Sequence, residues 1–337
     1  MSEQQPHEWL ARRRIAVFAE RFPPQVGGVA TSAARLCRLL TRHGARVDII
    51  NRTDAVGAGL VETQPGPEGT VHRFGVMSST DDSLQMLESI VLALHREDPF
   101  DLLHAYWAVP SGYLAALIGR MLGVPSYVCL RGNDVDRGVF KASQFQFLLW
   151  TLRHAGAISA VSTELRSKAG VLADRDDVAF VHNSVDTELF RPMPPHPQTI
   201  SLREPGTRLV GFVGELRFKK GMHVLLDAFR LAHQSLPLKL LLIGHLRRGD
   251  RPAFKEFLHQ YPHIEPDIIT VPYVHDREEL ASFYAGLDLL VCPSLWEGMP
   301  NSVLEAMACG RVVLATDVGG VPDVIAHGQD GFMIARQ

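Results

Sequence analysis

Cysteine is scarce in this chain, with four in 337 residues: Cys37, Cys129, Cys292 and Cys309. They lie far apart with no Cys-x-x-Cys pair, and three fall in apolar runs. This excludes a disulfide framework or a cysteine zinc site and points to buried free thiols in a reducing compartment. Long apolar runs are also missing. Stretches such as 287–293, with one aspartate, and 240–243 fall far short of the roughly 20 residues of a spanning helix, and the polar first eight residues lack the apolar core of a signal peptide. Nor is there an excess of charge of one sign, since a net charge of -3 gives no global attraction to nucleic acid. A cytoplasmic protein is expected. The basic run Arg12, Arg13 and Arg14 behind Trp9 and Leu10 leaves peripheral contact at the inner membrane face open. Stable anchoring takes two signals, so a solvated N-terminal extension is the plainer reading.

What is present is a globular composition, 46% hydrophobic and 21% charged, over a length that suits two domains. Short β-branched runs alternate with amphipathic stretches from end to end. RIAVFA at 14–19 reads as a buried strand, FPPQVGG as a loop, and residues 29–42 as a helix that stops at Gly44. The alternation continues through RVDII, 83–96, DLLHAY, 112–121, SYVCL, AISAVS and VAFVHN. After Phe190 the proline-rich segment RPMPPHPQTISLREPG breaks it, and it restarts at RLVGFVG. The fold class is therefore α/β: two Rossmann-like, doubly wound parallel sheets facing each other across a cleft, with domains at 1–190 and 207–337 and a linker at 191–206. Ligands are expected at the carboxyl ends of the strands.

Three segments carry chemistry. The first runs over 289–320, LLVCPSLWEGMPNSVLEAMACGRVVLATDVGG. A strand ends at Cys292 and Pro293, a loop carries Glu297, Gly298, Met299 and Pro300, and a helix begins near Asn301, a competent N-cap. Its free N–H groups suit a phosphate, and Glu305, one turn in, could reach a ribose hydroxyl. Taken singly, Glu305 also reads as a helix-dipole partner and Glu297 as a solvated charge. In the second segment, FVGELRFKKGMHVLLDAF at 212–229, a strand ends at Gly214 and a helix opens after Gly221. Between them Arg217, Lys219 and Lys220 form either a solvated cluster or an anion site. The third is the pair Gly27 and Gly28 between the first strand and first helix, which permits close backbone approach to a ligand and equally suits a tight turn.

Glu297 and Glu305, with seven residues between them, resemble the Glu-x7-Glu motif of the retaining glycosyltransferases of family 4, which have the GT-B fold. The resemblance runs from Arg14 to Ala335. It implies that Glu297 faces a donor sugar, that Glu305 binds the nucleotide ribose, that Lys220 meets the donor phosphates, and that Gly27 and Gly28 border phosphates and acceptor. DLLHAYW at 101–107 and CLRGNDVD at 129–136 match strand ends facing the cleft. Three positions depart from the family pattern. Glu215 stands where an arginine is usual, making Arg217 the replacement phosphate ligand. Arg131 stands where many relatives have histidine, and suits a hydroxyl, a phosphate or an anionic acceptor, or else an ion pair with Asp134 or Asp136. Ser184 replaces the glycine of an Asn-Gly-Val-Asp hinge segment.

Asp134-Val-Asp136 looks like the Asp-x-Asp of metal-dependent glycosyltransferases, but it stands in the pattern of a metal-independent enzyme, and His104, His154 and His182 lack ligand spacing, so no metal is expected. The implied activity is transfer of a sugar, with retention, from a nucleoside-diphosphate sugar as co-substrate to a hydroxyl acceptor. That acceptor is a glycan, a lipid-linked compound or a small molecule. A nucleotide-sugar epimerase, or a non-catalytic nucleotide-sugar-binding protein, remains open. Family members continue past the strand at 331–335 with further helices, so the resemblance also implies that the second domain is truncated at Gln337.

Overall fold

In the computed structural model, which describes residues 9–336, the chain divides into two compact units, Met1–His182 and Asn183–Gln337. The first holds an eight-stranded sheet. Its strands are β1 (Arg14–Ala19), β2 (Arg46–Ala58), β3 (Val61–Gly66), β4 (Gly69–Gly75), β5 (Leu102–Ala105), β6 (Ser126–Leu130), β7 (Ala157–Ala160) and β8 (Ala179–Phe180). Their order is β3-β4-β2-β1-β5-β6-β7-β8. All neighbours pair in parallel except β3 with β4. The antiparallel edge strand departs from the expected all-parallel sheet: VETQPG is exposed along its whole length and carries no apolar pattern to announce it. Two helices, Ala142–His154 and Thr163–Ala173, also go beyond the sequence reading.

The second unit holds β9 (Arg208–Val213), β10 (Leu238–Ile243), β11 (Ile268–Val271), β12 (Leu289–Cys292), β13 (Val312–Thr316) and β14 (Phe332–Ile334), all parallel, in the order β11-β10-β9-β12-β13-β14. Successive residues of a strand point to opposite faces. Accordingly Leu240 and Leu242 pack with Phe212, Leu225 and Phe229, whereas Leu241 and Ile243 pack with Leu280, Tyr284 and Leu290. Helices cover both faces, which is why β10 is apolar from Leu240 to Ile243.

The segment expected to link the domains belongs instead to the second unit. Phe190 is fully buried in its core, the helix Pro197–Ser201 buries Thr199 against Gly286, and the His196 ring stacks on Phe283 at 3.8 Å. Proline marks this segment's extended course, not its freedom. The basic cluster at 12–14 also needs correcting. Arg14 is buried in β1, and its Nε donates to Asp48 of β2 at 2.8 Å; Asp48 meets His72 of β4 at 2.8 Å, and His72 meets Thr63 of β3 at 3.0 Å. Burial would raise the Asp48 pKa, but the hydrogen bonds and charges of His72 and Arg14 hold it below the ordinary carboxylate value. All four cysteines are buried and free.

Candidate active site

The second sheet reverses its strand order between β9 and β12: the chain steps outward from β9 through β10 to β11, then resumes at β12 on the other side of β9. Where neighbouring strands send their connections apart, a crevice opens beyond their carboxyl ends. The two loops at that point are those carrying the motif residues. Gly214 leaves β9 with φ 144°, and the loop ends at Gly221 with φ 70°, the left-handed conformation that glycine adopts at least cost. A Cβ at Gly221 would collide with the Pro293 carbonyl, so glycine lets the β9 loop lie directly on the β12 loop. The Leu295 N–H then donates to the Lys219 carbonyl at 2.9 Å.

This contact places Lys220 beside Glu297. The Lys220 Nζ donates to Glu297 Oε1, and Ser294 Oγ donates to the same oxygen at 2.7 Å. The two charged side chains are only 20% and 9% exposed, a burial that is tolerable because they are paired. Burial would raise the Glu297 pKa, but the charges of Lys220 and Lys219 and the bonds from Lys220 and Ser294 hold it below the ordinary value. Burial would lower that of Lys220, but the Glu297 carboxylate drives it up. Both groups stay charged through the neutral range. Gly298 accepts from the Gly320 N–H at 2.6 Å, and Met299 is buried and accepts from Asn183 Nδ2 at 3.0 Å.

Arg217 sits 3.0 Å from the Glu215 carboxylate through Nη1, while its Nε is buried without a hydrogen-bond partner. The indole Nε1 of Trp296, next to Glu297 in the chain, is a second buried donor in that state, and its ring lies under Lys219 Nζ, 5.7 Å from the centroid. An unsatisfied buried donor costs about 1–3 kcal/mol, a cost that an anionic ligand would remove. Two orphaned donors and a fixed cation on the same two loops suit a phosphate.

The helix Asn301–Ala308 follows, with Pro300 at its N-cap. Asn301 was the expected cap. Its Oδ1 instead accepts from Asn183 Nδ2 at 2.9 Å. Glu305 is 6% exposed, with Arg277 Nη2 donating to Oε1 at 3.0 Å and Tyr284 Oη to Oε2 at 2.9 Å. It is a buried, bonded carboxylate and more than a helix-dipole partner.

The remaining candidates lie in the first unit. Gly27, with φ 137°, is the N-cap of the helix Gly28–Arg42 and brings no side-chain cap to it. Arg131 follows β6; its Nη2 donates to Ser32 of that helix at 3.1 Å, Tyr106 Oη donates to the same hydroxyl at 2.8 Å, and the guanidinium lies 4.3 Å from the Tyr106 ring centroid. Asp134 is enclosed by backbone N–H groups, from Gly132 at 2.8 Å and from Arg131 and Ala108 at 3.1 Å. Burial nevertheless raises its pKa to about 6. Asp136 pairs with Lys168 at 2.7 Å, so the two carboxylates of Asp-Val-Asp serve different partners. Among the described residues no cluster of three or more His, Cys, Asp or Glu side chains could hold a metal ion. His104 is buried, and desolvation with the nearby Arg131 charge lowers its pKa to about 3. His154 stacks on Trp150, and His182 tilts against Phe180.

The fold thus gathers Gly214, Arg217, Lys220, Glu297, Gly298, Met299 and Pro300 on two touching loops and sets Glu305 on the next helix. Ser294, Trp296, Tyr284, Arg277 and Gly320 escaped the sequence reading. Ser294, three residues before Glu297, was the most accessible of them. No helix of the described residues is long and apolar enough to cross a membrane.

Two family models match the chain: "Glycosyl transferase 4-like domain" over residues 27–184 and "Glycosyl transferases group 1" over 207–337. Alpha-maltose-1-phosphate synthase of Mycolicibacterium smegmatis is 28% identical over 95% of this chain and 84% of its own length. N-acetyl-alpha-D-glucosaminyl L-malate synthase of Bacillus anthracis is 26% identical over 92% and 81%. D-inositol 3-phosphate glycosyltransferase of Pseudarthrobacter chlorophenolicus is 26% identical over 96% and 83%. Among solved structures, sucrose-phosphate synthase from Thermosynechococcus elongatus superposes with a TM-score of 0.78 at 18% identity, covering 97% of this chain and 86% of that one. Anabaena HepE in complex with UDP-glucose does so with 0.73 at 19%, covering 96% and 85%.

Proposed function

The chain belongs to the group 1, family 4-like glycosyltransferases of the GT-B fold, and from that premise we propose that it moves a sugar from a nucleoside-diphosphate donor to a hydroxyl acceptor with retention, using no metal ion. The observation that carries this reading is the buried pair of Lys220 and Glu297, set beside the orphaned Nε of Arg217 where β9 and β12 diverge. In transfer, the bond between the anomeric carbon and the diphosphate oxygen breaks, its electrons go to the diphosphate, and the acceptor oxygen bonds the same carbon and gives up its proton. Lys220 and Arg217 offset the charge that grows on the leaving diphosphate, the part a divalent cation plays elsewhere. Glu297, fixed as a carboxylate, faces the donor sugar and accepts from its hydroxyls. Gly214 and Gly298 allow the sugar phosphate to approach backbone, and Met299 and Pro300 shape that wall. Glu305 takes the ribose.

Three relatives are named for compounds bearing an acidic group: a sugar phosphate, malate and inositol phosphate. We extend this to the acceptor, for which Arg131 supplies a guanidinium while Gly27 and Gly28, at the adjoining helix start, permit close approach of backbone. The test is to incubate the protein with UDP-, GDP- and ADP-sugars and a panel of hydroxylated phosphates and carboxylates, following product and anomer by NMR. Transfer with retained configuration, insensitive to EDTA, is expected. Donor isomerisation alone would indicate an epimerase, binding without turnover a non-catalytic protein, and an inverted anomer or rescue by Mn²⁺ after EDTA a different mechanism.

A further inference from the structure

We propose that Tyr284 and Arg277 are positioning residues for the nucleotide, holding the Glu305 carboxylate with one free lone pair on each oxygen so that it accepts the two vicinal ribose hydroxyls together. The proposal rests on the assignment of Glu305 to the ribose. Glu305 stands in the middle of the helix Asn301–Ala308, and its neighbours Val303 and Ala306 are fully buried. A carboxylate there is costly unless its oxygens are bonded. Each oxygen has one bond within the unit, Oε1 from Arg277 Nη2 at 3.0 Å and Oε2 from Tyr284 Oη at 2.9 Å. An ionised carboxylate offers about four acceptor positions, so these bonds fix its plane and leave capacity for two more. A vicinal diol presents two donors at a spacing that matches two carboxylate oxygens.

The two holding groups are themselves held. Both come from the helix Arg277–Ala285, seven residues and two turns apart and therefore on one face. Phe190, fully buried, braces both: the Arg277 guanidinium lies 4.8 Å from its ring centroid, and the Tyr284 ring meets it edge-on at 6.0 Å. Burial and the Glu305 charge push the Tyr284 pKa well above its ordinary value, so the phenol stays a donor. Tyr284 is wholly buried, whereas the Arg277 side chain is 33% exposed, so the arginine closes the solvent side of the arrangement.

A purely structural tie would give the same hydrogen bonds, so the test reads ribose recognition directly. Whichever of UDP, GDP and ADP binds the wild type is titrated calorimetrically against its 2′-deoxy counterpart, with wild type, Tyr284→Phe, Arg277→Gln and Glu305→Gln. The wild type is expected to prefer the ribonucleotide by roughly ten-fold or more, the size of a hydrogen bond to a charged group. Tyr284→Phe keeps the ring against Phe190 and removes only the hydroxyl. It should weaken ribonucleotide binding, leave deoxynucleotide binding nearly unchanged and bring the ratio toward one, and Arg277→Gln should do likewise. If both variants are less stable but keep the wild-type ratio, the positioning role is overturned while the Glu305 assignment stands. If the wild type shows no preference and Glu305→Gln binds both equally well, the Glu305 assignment itself has failed. Should Tyr284→Phe not fold, the partly exposed Arg277→Gln decides alone.

Discussion

Each unit buries a carboxylate at the carboxyl end of its sheet, and the two are compensated differently. Glu297 faces a cation, Lys220, with Ser294 adding a hydroxyl, and its pKa stays low in spite of burial. Asp134 is met chiefly by backbone N–H groups of Arg131, Gly132 and Ala108, and burial wins, raising its pKa to about 6. Dipoles satisfy the lone pairs of a carboxylate without cancelling its charge, so they compensate desolvation less completely than an ion does. The Lys220–Glu297 pair therefore carries charges that do not change across neutral pH, whereas the loop that presents Arg131 is fastened by a group that titrates just below it.

Breaking the ion pair should have the largest effect. Lys220→Ala removes the cation proposed to offset the leaving diphosphate and should lower kcat by roughly 10²–10³, the size seen on deleting one preorganised donor. Asp134→Asn, which keeps an oxygen acceptor and the size of the side chain, should cost far less at pH 7.5. The comparison is of kcat for the two purified variants with the same donor and acceptor. Equal losses would mean that the two buried carboxylate sites do not differ as their partners imply.

The pH dependence of stability sharpens the contrast because the two sites have opposite signs. The folded pKa of Asp134, about 6, lies above the ordinary 3.8, so between those values the folded state binds more protons than the unfolded one. Its contribution is full below about pH 4 and lost as pH rises through 6, on the order of 3 kcal/mol at about 1.4 kcal/mol per unit. Glu297, with a lowered pKa, contributes stability that is present above the ordinary carboxylate range and lost as pH falls through its folded pKa. Urea unfolding at a series of pH values should show wild type losing ground to Asp134→Asn as pH rises from 4 to 6.5. Against Glu297→Gln, wild type should lose ground as pH falls. A pH-independent difference for Asp134→Asn would show that this group does not titrate in the fold.

How much of this was legible in the sequence follows from the range of the interactions. Buried stretches of parallel strand such as LLLI in β10 announce themselves as continuous apolar runs, and β1, β6 and the helix Arg277–Ala285 lie where the patterns place them. The exposed strand VETQPG has no such pattern, and neither did ASQFQFLLWTLRH give a clean stripe. At the candidate site, Glu297 and Glu305 were singled out by a motif with fixed spacing and Lys220 by a strand–loop–helix segment similar to the family's diphosphate site; the roles of all three are proposals. The partners that hold Glu305 lie 21 and 28 residues away in sequence, at separations set by how helices pack on the sheet. Arg14 shows the same limit in reverse: beside Arg12 and Arg13 it reads as one surface charge of three, and only the strand pairing that brings up Asp48 makes it a core residue.

The smallest expected effect concerns the other ion pair of the donor loops, and it separates a fixed pair from an exchangeable one. Glu215 and Arg217 meet at 3.0 Å with side chains 44% and 28% exposed, and such pairs contribute only about 0.2–1 kcal/mol. The buried, unpartnered Nε of Arg217 gives that guanidinium more to gain from a phosphate oxygen than from Glu215. A diphosphate should therefore draw Arg217 from its carboxylate at little cost, whereas Lys220, buried against Glu297, keeps its partner. Glu215→Gln should then tighten nucleoside diphosphate binding by about two- to five-fold, the size of the pair it removes, and Arg217→Gln should weaken it by about ten-fold. In the double variant the gain from Glu215→Gln should vanish, because it acts only by freeing Arg217. Calorimetric titration of the four proteins at low and at 0.5 M salt checks this, with the Glu215 effect fading at high salt. If Glu215→Gln weakens binding, or helps equally when Arg217 is absent, then Glu215 meets the ligand itself, and the residue that replaces the usual arginine has a role of its own on the donor.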